Sequence, residues 1–160
     1  MRTLTKFLTW KTTIICTLSV IFPLVVLNFY GYYTNSFDVS KVGNYIFPIL
    51  CVVHILYLYV IWFKIRENEL PDPKMRNIEY ALYAILLVYV FKIFQTIQVL
   101  VSAAGFEGHV IPSTFMPMAV ITLIMSIILP FLTLYTFWLR RKIIGVYNFE
   151  NYNNNLNIWQ

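Results

Sequence analysis

Four apolar blocks, Thr12 to Gly31, Tyr45 to Phe63, Tyr80 to Ala104 and Phe115 to Leu139, dominate the chain, with polar and turn-forming residues between them. A helix rises about 1.5 Å per residue, so about 20 residues cross a hydrocarbon core of about 30 Å. Every block reaches that length. Runs such as IFPLVVLNF and VITLIMSIILPFL are apolar on both faces, whereas a membrane barrel strand alternates with period two. The pattern predicts an all-α integral membrane protein of four transmembrane helices, over about residues 12–31, 45–63, 80–104 and 115–139. Neither a repeat nor a linker divides the chain, so residues 1–160 read as a single membrane domain with a short tail over 143–160.

Composition agrees, since 12% of the residues are charged against about 25% in a soluble domain. Ten of the twelve basic residues fall on one side of the four blocks: Arg2, Lys6, Lys11, Lys64, Arg66, Lys74, Arg76, Arg140, Arg141 and Lys142. Lys41 is alone on the other side, and Lys92 lies inside a block. The excess of positive charge on cytoplasmic loops places both termini in the cytoplasm. Trp10, Trp62 and Trp138 then fall at the inner ends, and Tyr30, Tyr32, Tyr33 and Tyr45 at the outer level, as interfacial aromatic belts do. Topology thus accounts for the net charge of +5 without nucleic acid. The expected location is the bacterial inner membrane, with the mitochondrial inner membrane as the alternative.

The motifs of common chemistries are missing. The chain has no CxxC, HExxH, GxSxG or phosphate-binding glycine loop, so no metal, cofactor or catalytic residue is expected. Cys16 and Cys51 fall at different depths of an antiparallel pair, which argues against a disulfide. The first block has a basic flank like a signal peptide, but its apolar run is too long and lacks a small-x-small cleavage site. The segment RNIEY, Arg76 to Tyr80, shares residue types with the membrane-associated eicosanoid and glutathione enzymes over five positions only, and no family is assigned on it.

Lys92 is the outstanding residue. It lies twelve positions from Tyr80 and twelve from Ala104, which places it near mid-depth, too deep to snorkel easily. At about 100° per residue, Lys92, Gln95, Thr96, Gln98 and Ser102 share one arc of about 160°. His54, Ser19 and Ser126 fall at comparable depth on the other blocks, so a central polar layer is expected. The seven acids, Asp38, Glu67, Glu69, Asp72, Glu79, Glu107 and Glu150, all read as loop, tail or helix-end residues. Three readings of Lys92 follow: a lysine left neutral or water-satisfied by desolvation, a lysine lining a hydrated path, or one that meets an acid or anionic ligand from outside the chain, with an intramembrane carboxylate from a partner subunit as the favoured form.

The loops YYTNSFDVSKVGN, KIRENELPDPKMRN and GFEGHVIPST read as solvated connectors. In the tail, Tyr147, Phe149, Tyr152 and Trp159 offer apolar anchors beside the single charge of Glu150, too little charge for anchoring on anionic lipid. The expected function is a non-catalytic accessory subunit of a larger membrane complex, surrounded by lipid and docked through the polar stripe and the tail. The alternative is a small homo-oligomeric transporter or channel with a path lined by Lys92, His54 and the glutamines.

Overall fold

The structure, a computed structural model, describes residues 9–103, 105 and 111–147. Its helices are α1 (Trp10–Leu27), α2 (Ile46–Glu67), α3 (Pro73–Ala103) and α4 (Phe115–Ile143). All four are long and apolar enough to cross a membrane. They form a ring in which α1 packs on α2 and α4, and α3 packs on the same two neighbours. Alternation of direction brings the basic residues of α2 and α4, Lys64, Arg66, Arg140, Arg141 and Lys142, to one end, here the basic end.

Local chemistry sets the boundaries. The first helix stops at Leu27, four residues short of the expected Gly31, because Tyr30–Gly31 (β1) pairs antiparallel with Ser36–Phe37 (β2). The expected loop is thus a small hairpin, turned by Asn35 in the left-handed region at φ 49, where asparagine is tolerated. A 3-10 turn over Val42–Tyr45 then leads into α2. At the other end of α2, Asn68 at φ 52 terminates the helix.

The third helix begins at Pro73, seven residues before the expected Tyr80. Proline suits the first helical position, where its missing N–H loses nothing. Asp72 caps it, with Oδ1 accepting from the Met75 amide at 2.7 Å. Lys64 Nζ closes the turn, lying 2.7 Å from Glu69 and 3.0 Å from Asp72. Burial works against the Asp72 carboxylate, but the Met75 amide and the Lys64 ammonium prevail and hold its pKa below 3.8. A depressed carboxylate pKa adds stability that is complete above the unfolded value and lost as pH falls through the folded one. Asp72→Ala should cost about 1 kcal/mol at neutral pH and progressively less below pH ~4. Melting curves of the two proteins across that range check this, and a constant difference contradicts it.

The core runs along the ring axis: Ile21 and Leu24 from α1, Cys51, Tyr57 and Ile61 from α2, Leu82, Ile85 and Tyr89 from α3, Leu129 and Phe137 from α4. Threonines fill tight places without stranding a hydroxyl. Thr17, Thr122, Thr133 and Thr136 each donate to the carbonyl four residues back, at 2.7 to 2.8 Å. Small self-satisfied side chains of this kind let membrane helices approach closely. Both cysteines are free, Cys16 half-buried and Cys51 buried.

Candidate functional site

Polar side chains gather in two places, one at each end of the ring. At the basic end the centre is Glu79, 2% exposed on α3. Its Oε1 accepts from Arg140 of α4 at 2.5 Å. Its Oε2 accepts from the hydroxyls of Tyr57 on α2 and Tyr147 beyond α4, each at 2.7 Å. Arg140 also donates through Nη1 to the Gly145 carbonyl at 2.9 Å, and its guanidinium lies 4.2 Å from the Tyr147 ring centroid. Gly145 permits this return because its φ of +110 is open to glycine and strained for other residues. Burial, then the Glu79 carboxylate, pushes the Tyr147 phenol up from its usual 10.0, so it remains a donor.

This network lay outside the sequence reading, which grouped Glu79 with the helix-end acids and Tyr147 with the apolar anchors of the tail. The Tyr147 hydroxyl is bonded to Glu79. The other tail anchors, Phe149, Tyr152 and Trp159, lie outside the described residues.

At the hairpin end the centre is Lys92. Its ammonium donates to Asn28 Oδ1 at 2.6 Å and lies 5.8 Å from the Phe47 ring centroid. The Asn28 amide nitrogen in turn donates to the Asn44 carbonyl, which orients the side chain with its oxygen toward the lysine. Asn28 is the C-cap of α1, so the lysine reaches the level where α1 ends. Starting α3 at Pro73 places Lys92 nineteen residues from its first residue and eleven from Ala103. Beside the ammonium is a cavity of about 290 Å³, walled by residues of all four helices and roofed by the hairpin.

The expected stripe separates. Lys92, Gln95 and Thr96 line the cavity, with Thr96 donating to the Lys92 carbonyl at 2.9 Å. Ser102 instead pairs with the hairpin, its hydroxyl 3.0 Å from that of Tyr33. Gln98 faces outward. His54 is fully buried but absent from the cavity wall, its Nδ1 lying 3.1 Å from the Tyr89 hydroxyl. Ser19 is exposed and Ser126 lines the cavity, so the central polar layer does not form as expected.

The hairpin is fixed over this cavity. Tyr30 donates to Asn35 Oδ1 at 2.6 Å, and Thr114, next to the start of α4, donates to the same oxygen at 2.9 Å. No family model, curated protein or solved structure matches the chain. Chemistry alone therefore assigns these two sites. The basic-end network spends both carboxylate oxygens on internal donors, which suits a structural clasp. The hairpin-end cavity keeps polar groups facing open volume, which suits binding.

Proposed function

We propose that this chain is a non-catalytic subunit of a larger membrane assembly, with both termini cytoplasmic, and that it docks through the outer face of α3. One observation carries the reading. Tyr80, Ala84, Leu87, Phe91, Phe94, Gln98 and Val101 are all exposed and recur at spacings of four and three, the 3.5-residue period of a helix-packing seam. They lie opposite the face carrying Leu82, Ile85 and Tyr89, and the large apolar members are 60 to 69% exposed. The most apolar stretch of α3 is 17% buried, against 28 to 33% for the other three helices.

Lipid satisfies the apolar members of this face, and Gln98, five residues before the end of α3, adds one polar group of a type that hydrogen-bonds between membrane helices. The partner expected here is an apolar helix with a polar side chain opposite Gln98. Native mass spectrometry after mild-detergent extraction tests this. The expected species exceeds the 18.9 kDa of the chain by the mass of a different protein, and the Phe91→Ala, Phe94→Ala double variant releases it. A lone chain overturns the proposal, and integer multiples of 18.9 kDa indicate the homo-oligomeric transporter instead.

Orientation has its own support. Each helix carries a cation over an aromatic ring at the basic end: Lys11 over Trp10, Arg66 over Trp62, Arg76 over Tyr80 and Lys142 over Trp138, at 5.0 to 5.9 Å. Such a belt of aromatics and cations matches a cytoplasmic interface. Reporter fusions after Lys11 and after Gln160 should both stay cytoplasmic. Export of either reporter reverses the orientation.

A further inference from the structure

The hairpin-end cavity holds more positive charge than its own residues neutralise. Among the described residues, Lys92 and Lys41 line it with a single acid, Asp38. The Asp38 carboxylate is turned to Ser40, accepting from its hydroxyl at 2.6 Å and its amide at 3.1 Å, and these bonds hold its pKa below 3.8. Among the described residues no carboxylate comes within 4.0 Å of Lys92. An ammonium has three donors, and one of these is occupied by Asn28. A partly buried cation with a neutral partner and open volume beside it is incomplete without an anion.

We propose that this cavity binds a small organic monoanion, a carboxylate on a compact apolar body, with the carboxylate held by Lys92. The charge is matched to one, because two lysines and one aspartate leave a single positive charge in excess. A dianion such as phosphate would exceed it. The body is apolar because Leu24, Leu27, Phe47 and Val99 form part of the wall. It is compact because about 290 Å³ lies at the bottom of the range for ligand sites, roughly 300 to 1,000 Å³. Gln95 and Tyr32 stand at the wall as further polar groups. Burial pushes the Tyr32 phenol above 10.0, so it serves as a neutral donor. Its assignment is independent of the α3 seam, none of whose residues lines the cavity.

Fluorine NMR of 4-fluorobenzoate added to the detergent-purified protein tests the site, with neutral 4-fluorobenzamide as the control. The carboxylate should show saturable line broadening and the amide none. Lys92→Met should weaken binding at least tenfold. Asn28→Asp provides a second variant, since it sets an internal carboxylate beside the ammonium; it should abolish probe binding in a protein that still folds, although it gives up the amide bond to Asn44. Equal broadening by the amide, unchanged binding by either variant, or no saturable signal from the wild type overturns the proposal. Saturable binding of decanoate without 4-fluorobenzoate identifies an acyl-chain site and overturns the assignment of a compact ligand.

Discussion

Replacing Glu79 with glutamine should lower the melting temperature of the detergent-solubilised protein by on the order of 10 °C. The substitution keeps the side-chain shape and removes the charge, which leaves Arg140, a residue 6% exposed, without its counter-ion. Stranding one member of a buried ion pair costs about 3 to 5 kcal/mol, and in a chain of this size each kcal/mol shifts melting by about 2 to 4 °C. The cost is not confined to the pair, because Tyr57 and Tyr147 also donate to the same carboxylate. Arg140→Met should be similarly harmful, since it strands Glu79. The double variant, with neither charge, should be less destabilised than the sum of the two single variants. A Glu79→Gln protein that melts within 2 °C of wild type, on the scale just given, would refute the clasp.

Asn28→Leu should destabilise the hairpin end by about 1.5 to 3 kcal/mol, the range for a hydrogen bond to a charged group. It removes the one hydrogen-bond acceptor that the described residues offer the Lys92 ammonium, and also the tie from α1 to Asn44. Lys92→Met, by contrast, removes the charge itself and retains an unbranched apolar stem. Without ligand it should be neutral or stabilising, as replacing a buried charge by an apolar residue often is. Introduced into the Asn28→Leu background it should recover part of the loss. Thermal melts of the three proteins in ligand-free detergent decide the matter, and a Lys92→Met protein as unstable as Asn28→Leu contradicts this account.

Much of the fold was legible because the membrane requirement is severe: four runs of sufficient length and apolarity leave few architectures, and the charge asymmetry groups their ends. The boundaries were less legible, because apolar blocks report where lipid begins and not where helical hydrogen bonding does. Asp72-Pro73 was the signal missed, an acidic cap followed by proline at the first helical position. With α3 started there, Glu79 falls two turns inside a helix, and its burial opposite a basic residue of another helix becomes a question worth asking. The same shift moves Lys92 toward the hairpin end. The partner of Lys92 was not legible at all, since Asn28 lies 64 positions away in sequence. Periodicity along one helix carries no information about such long-range contacts.

The clasp at Glu79 also orders events during synthesis. The carboxylate emerges 22 residues after Tyr57 but 61 before Arg140 and 68 before Tyr147. Until the fourth helix arrives, Glu79 lacks the Arg140 guanidinium and the Tyr147 hydroxyl, so α3 forms with an acid whose final partners are still to come. Arrival of Arg140 neutralises it and draws the last two helices together. Tyr147, only three residues beyond the cap of α4, joins last. The ring is therefore closed from its C-terminal end, and a nascent chain stopped short of Tyr147 lacks the final donor of the clasp.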